Sequence, residues 1–341
     1  MLSRASRSEV ERVRASLIFS IELLAVEAIA VALLTPIGFA QLVTKLAPIL
    51  FRLRRLVLAC EETLASYVGV ESRLAGEFAD DRLSVAEIAA GSVVATGVLG
   101  SAVAWARPTG GVQFATAPTG LTQIGARLRV LSDARQPVIR VEKYQTGGPS
   151  SRFIVYLPGT QNLGAANSNP FDMRSNLQLL AGQASSASRA VDIALRRAGV
   201  GPSDQVMLVG YSQGGLIATH LAKQSLAGEL DYRVVQVVTV GSPIGANSAV
   251  SLPRVLSIEN KSDFVPHLDL ISNPDAPNWR TLEGNVPSDA VQAHEMGPYL
   301  QIMRELEASG EGASNAAVQR VVNFATGSAT VSYFQLGQGK F

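Results

Sequence analysis

Five short runs dominated by Val, Ile, Leu and Phe recur through the second half of the chain, at 138–141, 153–157, 206–209, 234–240 and 255–258. Several are apolar along their whole length, the pattern of strands covered on both faces. Helical stretches at 176–198 and 213–227 separate them. Strands alternating with helices join through right-handed crossovers and build a mostly parallel sheet. The expected class is therefore α/β for residues 121–341.

The first third follows a different grammar. Residues 1–107 are rich in Ala, Leu and Glu and read as helix throughout. The breaker Thr35-Pro36-Ile37-Gly38 separates expected helices at 8–34 and 41–76, an all-α helical hairpin-type domain. Ser84 with Glu87 forms a capping box that opens a third helix. From Ile88 to Ala106 the nineteen residues carry no charge. That length reaches spanning distance, so a membrane span and a buried helix both stay open. Residues 108–120, rich in Gly, Thr and Pro, are expected as a linker.

Composition narrows the classes further. At 341 residues, 47% hydrophobic and 17% charged, the chain has the material for a large core and is not a disordered polymer. A net charge of +1 supplies no field to collect nucleic acid, which is not an expected partner. The single cysteine, Cys60, excludes an intrachain disulfide and a cysteine-based zinc site, and reads as a core residue. At the amino terminus, Arg4, Arg7, Arg12 and Arg14 precede an apolar stretch. Glu9, Glu11, Glu22 and Glu27 interrupt the pattern, and no cleaved signal peptide is expected.

Gly210-Tyr211-Ser212-Gln213-Gly214 falls where the expected strand 206–209 gives way to helix. A serine on such a sharp strand-to-helix turn projects its hydroxyl above the sheet edge, and glycines two residues to either side avoid collision. Ser212 is the expected nucleophile. The Gln213 amide, at the start of a helix, is an expected oxyanion donor. A second donor should follow an earlier strand, and Thr160 in Pro158-Gly159-Thr160-Gln161 is the first choice, with Gln161 second.

A serine hydroxyl needs a base, and there are three histidines to choose from. His220 lies eight residues past Ser212 on the same helix, about 12 Å along its axis, too far for a direct bond. His267 leaves little chain to cross the site. His294 sits in a polar loop before an expected helix carrying Tyr299, and is the preferred base. The orienting acid is expected from the loop after strand 255–258, with Asp263 first and Glu259 and Asp269 as alternatives. The segment Asn169-Pro170-Phe171-Asp172-Met173 is expected to form a rim or lid.

These motifs resemble a known group. Gly210-Tyr211-Ser212-Gln213-Gly214-Gly215 is similar to the elbow of cutinases and of the PE-PPE-type hydrolase domains of actinobacteria. Pro158-Gly159-Thr160-Gln161 resembles their oxyanion loop, Glu259 through Pro266 their acid loop, and His294 with Tyr299 their histidine segment. The likeness runs over residues 138–305. It implies an α/β-hydrolase fold, a Ser-His-Asp triad, an ester or lipid substrate, and no metal or organic cofactor; acyl transfer by the same triad is the alternative. The chain departs from cutinases in lacking their disulfides and in its extra helical part.

Residues 1–107 also resemble the paired helices of WXG100-like proteins. Tyr67-Val68-Gly69-Val70-Glu71 matches their Tyr-x-x-x-Asp/Glu signal, although Pro36-Ile37-Gly38 replaces Trp-x-Gly at the turn. The resemblance implies contact with a membrane or secretion partner through residues 1–107 and type VII-like export. Without it, cytoplasmic or membrane-associated residence is the expectation. In the remaining reading, the chain is an inactive hydrolase-fold adaptor.

Overall fold

Phe153, Ile154, Val155, Tyr156 and Leu157 are each at most 1% exposed, so both faces of this strand are covered. The computed structural model describes residues 102–162, 168–246, 252–269, 271–288, 292–310 and 315–339. The helices expected over 1–101, with Cys60 and the Tyr67 pattern, lie outside the described residues, as does all but the end of the uncharged run 88–106.

The strands are β1 (Ala104–Thr116), β2 (Val138–Gln145), β3 (Ser151–Leu157), β4 (Gln205–Tyr211), β5 (Arg233–Val240), β6 (Arg254–Asn260), β7 (Trp279–Gly284) and β8 (Ser328–Gln338). They form one eight-stranded, mostly parallel sheet in the order β1-β8-β2-β3-β4-β5-β6-β7. From β3 to β7 neighbours run parallel; β1, β8 and β2 are joined to the sheet antiparallel. This is the α/β architecture that the uninterrupted apolar runs imply.

Among the described residues, six α-helices cover the two faces: α1 (Leu121–Asp133), α2 (Met173–Leu180), α3 (Ser186–Arg197), α4 (Gln213–Leu226), α5 (Met296–Ala308) and α6 (Ala316–Val322). Side chains alternate along a strand, and the sheet thereby serves two cores. Phe153, Val155 and Leu157 pack with Leu179, Val191, Leu195, Ile217 and Leu221 of α2, α3 and α4. Ile154 and Tyr156 point into the opposite layer, with Ile124 and Leu128 of α1, Met303 of α5 and Val321 of α6. Among the described residues no helix is long and apolar enough to cross a membrane.

Two sequence expectations change. Residues 108–116 are not linker but most of β1, and Pro108 pairs with Phe334 across the ladder. Proline is tolerated there because β1 is an edge strand, and the ladder skips between Thr109 and Gln113, where Gly110 adopts φ 71°. The α/β unit thus begins upstream of the expected boundary. The helix expected over 176–198 is also divided. Gly182 turns the chain at φ 72°, and Ser185 starts α3 through a capping box with Ser188.

Helix α1 is tied to the sheet by a buried charge. Glu142 on β2 is fully buried and accepts from Arg127 of α1 at 2.7 Å and from Arg140 at 2.6 Å, those two side chains being 16% and 15% exposed. Tyr144 donates to the same carboxylate at 2.6 Å. Removing one member of a buried ion pair strands the others in low dielectric. Glu142→Ala should therefore destabilise the fold by about 3 kcal/mol. Urea unfolding followed by Trp105 and Trp279, on the strands at opposite edges of the sheet, would measure it.

Candidate active site

β4 and α4 are joined by a turn in which Ser212 takes φ 52°, ψ −117°. A side chain rarely adopts that conformation, and holding it costs on the order of 1–3 kcal/mol. The surroundings enforce it. The Ser212 amide donates to the Val240 carbonyl of the adjacent strand at 2.9 Å. Gly214 lies against the Leu157 and Pro158 carbonyls so closely that any Cβ would overlap them, and a Cβ on Gly210 would overlap Gly214. The two glycines are required by backbone approach as much as by turn geometry.

The side chains of Ser212, His294 and Asp263 form one hydrogen-bonded chain. His294 Nε2 is 3.0 Å from Ser212 Oγ, and His294 Nδ1 is 2.7 Å from Asp263 Oδ2. A carboxylate only accepts, so Nδ1 carries the proton and Nε2 is left to accept from the serine hydroxyl. Asp263 is fully buried, its Oδ1 taking the Val265 amide at 2.9 Å. The structure thus brings together the serine, acid and base expected from the sequence, and it separates them from the alternatives. His220 is buried in α4, where loss of hydration, reinforced by Lys223, lowers its pKa to about 4. His267 ends a short 3-10 turn that begins at Val265, and His294, not His267, meets Ser212. Asp269 accepts the amides of Ala246 and Ile271.

Tyr299 donates to Asp263 Oδ2 at 2.6 Å and is fully buried. Burial first, then the Asp263 charge, holds its phenol proton well above the usual range. The sequence presents Tyr299 as a neighbour of the base; its hydrogen bond belongs to the acid. Two further residues position His294 and have no role in the sequence reading. Asn260 Nδ2 donates to the Ala293 carbonyl at 3.1 Å, while its Oδ1 takes the Val286 amide at 3.1 Å. The Tyr211 hydroxyl donates to the His294 carbonyl, and its ring stacks on the imidazole at 5.1 Å between centroids. For Asn260, whose bonds reach across the fold, the sequence carries no local signal.

Gln213 follows Ser212 as the first residue of α4, and the loop that carries Thr160 packs against the same turn. A Cβ on Gly159 would sit 3.1 Å from Ser212 Cβ and 2.9 Å from the Tyr211 ring, which places the Pro158-Gly159-Thr160 loop against the turn. The amides of Thr160 and Gln213 have no backbone acceptor among the described residues. Asn176 Nδ2 donates to Thr160 Oγ1 at 2.9 Å. Gln161, the second choice, spends its side chain on the Gln136 carbonyl and on Asn169. The segment 169–173, expected as a rim or lid, is anchored in the fold at Phe171 and Asp172. Phe171 and Asp172 are fully buried; Phe171 accepts the Gln161 and Asn162 amides through its carbonyl, and Asp172 caps α2 through the Ser175 amide. The Gln213 side chain donates to the Asp172 carbonyl at 2.9 Å, and Gln338 of β8 donates to its carboxylate at 2.7 Å.

Among the described residues no cluster of His, Cys, Asp and Glu has the arrangement of a metal site. Neither a protein-family profile nor a curated protein sequence matches this chain.

Glu259, the other alternative acid, is 7% exposed, with Ser257 at 3.3 Å and Asn273 as its hydrogen-bond donors. Burial foremost, with the negative charge of Glu283 added, pushes its carboxyl up to about 7. The folded protein then holds this proton more tightly than the unfolded chain does. Stability from the protonated carboxyl is complete below the ordinary carboxylate range and is lost as pH rises through about 7. Glu259→Gln should be more stable than the native chain at pH above that value and should flatten the slope between it and the acid side. Urea midpoints taken across that pH window would show it.

Proposed function

We propose that the chain is a serine ester hydrolase of the α/β-hydrolase type, acting on carboxylic esters of the lipid class. The observation that carries this reading is the continuous hydrogen-bonded chain from Ser212 Oγ through His294 to the buried Asp263, mounted on a strained turn at the carboxyl end of a parallel sheet. The motif resemblance to cutinases and PE-PPE-type hydrolase domains over residues 138–305 points the same way.

The chemistry follows from the geometry. Ser212 Oγ attacks the ester carbonyl carbon as His294 Nε2 takes its proton. The imidazolium that forms is stabilised by Asp263, which Tyr299 and the Val265 amide hold in orientation. The oxyanion collects hydrogen bonds from the amides of Gln213 and Thr160. His294 then returns the proton to the departing alcohol, leaving an acyl group on Ser212. Water, deprotonated by the same nitrogen, cleaves that acyl-enzyme and restores the serine. No step needs a resident cofactor.

An activated serine reacts with a fluorophosphonate probe. The native chain should label, and Ser212→Ala and His294→Ala should abolish labelling while His267→Ala retains it. Hydrolysis of a short acyl ester should fall by at least about 10⁴-fold in Ser212→Ala and in Asp263→Asn. A folded native chain that takes no label would overturn the proposal. Tyr299→Phe removes one hydrogen bond to a charged acceptor and should lower kcat by about ten-fold with KM unchanged; steady-state kinetics on the same ester measure that split.

A further inference from the structure

At the other end of the strands, away from Ser212, the chain gathers positive charge around a cavity of about 470 Å³. Arg152, Arg233 and Arg254 reach it from the beginnings of β3, β5 and β6, and Arg320 from α6. The sheet register makes this a built arrangement: Arg152 pairs with Gln205, Gln205 with Arg233, and Gln236 with Arg254. Neighbouring strands lie about 4.8 Å apart, so Arg152 and Arg233 flank Gln205 at about twice that spacing. Among the described residues no carboxylate lines the cavity. The nearest acid in sequence to Gln205, Asp204, is committed to the amides of Ser151 and Gly201.

Gathering four guanidinium groups without a counter-charge is unfavourable, and a chain of net charge +1 does not do so by composition alone. Arg152 is partly engaged: it donates to the Phe324 carbonyl at 2.8 Å and lies over the Phe324 ring. Among the described residues, Arg233, Arg254 and Arg320 form no ion pair or side-chain hydrogen bond. Their planar forks suit phosphoryl oxygens in paired bonds. One phosphate monoester carries about two negative charges, so four arginines call for two phosphoryl groups. The cavity is of the size that takes a small organic molecule, and the Gln205, Gln236 and Asn323 amides with Phe324 offer polar and apolar contact to the rest of it.

We infer that this cavity is a binding site for a ligand bearing two phosphoryl groups, a diphosphate or bisphosphate, distinct from the Ser212 site. The phosphoryl groups come from a free metabolite or from a lipid headgroup, and the recognition chemistry is the same.

Pyrophosphate titrated calorimetrically into the full chain tests the site without reference to ester hydrolysis. Native protein should bind, and Arg233→Ala with Arg254→Ala should weaken binding by at least about ten-fold. Both arginines are exposed, so the double variant should fold, which circular dichroism checks. A control with equal charge loss outside the cavity, Arg280→Ala with Arg304→Ala, should bind as the native chain does. In a second arm, phosphatidylcholine vesicles with and without phosphatidylinositol bisphosphate are sedimented with each protein. Pyrophosphate binding without vesicle binding assigns the site to a free ligand. Sedimentation with the acidic vesicles that the Arg233/Arg254 variant loses and pyrophosphate reverses assigns it to a headgroup. Equal behaviour of the two double variants, or no binding by the native chain in either arm, overturns the inference.

Discussion

Two backbones meet more closely at the carboxyl edge of the sheet than side chains would permit. The first turn of α4 rests on the carbonyls of Leu157 and Pro158, and the space between is filled by Gly214 alone. That approach depends on β4 being clamped on both sides, with Leu157 opposite Gly210 and Val240 opposite Tyr211. The helix is drawn down by Ile217, Ala218 and Leu221, all fully buried. Strain at Ser212 persists because sheet pairing and helix burial, each worth far more than the strain, both demand the same turn.

Around that turn the polar groups are arranged as two braces. On one side Asn260, Tyr211 and Tyr299 hold His294 and Asp263; each bonds to a backbone carbonyl or to the carboxylate, leaving the imidazole Nε2 to Ser212. On the other, Asn176 holds Thr160, and Asp172 with Gln338 holds the Gln213 side chain and its neighbourhood. Burial raises the Asp172 carboxyl above its ordinary range, against the Ser175 and Gln338 hydrogen bonds that lower it. Both braces are built of buried and half-buried hydrogen bonds, which fix geometry because breaking one leaves a stranded polar group.

What could be read from the sequence follows the range of the signal. Buried strands announce themselves by uninterrupted apolar runs, and a serine turn by residues two apart; β3 to β6 and Ser212 are of that kind, whereas Asp263 and His294 are read from their place after the strands and from the short choice of histidines. β1, β7 and β8 are not. Their sequences mix Thr, Ser, Gln and Arg with apolar residues because they occupy or border the sheet's edges, where one face or one ladder side meets solvent. Helix α1 has its apolar residues at Leu121, Ile124, Leu128 and Leu131, a legible helical stripe that the Gly- and Pro-rich stretch before it obscures. Asn260 and Gln338 act across the fold, on partners 33 and 166 residues away, and no local pattern reports such a bond.

The position of β8 bears on how the molecule is made. It lies between β1 and β2, so that Arg107 and Gln335, 228 residues apart, face each other across the ladder. During synthesis β1 emerges long before the strand it pairs with. The parallel core from β3 to β7 has its partners by then, and β8 enters as a late wedge. Gln338, at the tip of that wedge, is also the residue that secures Asp172. A nascent chain that has not yet reached β8 therefore carries a serine turn without this brace, and the site is finished only when the wedge is driven home.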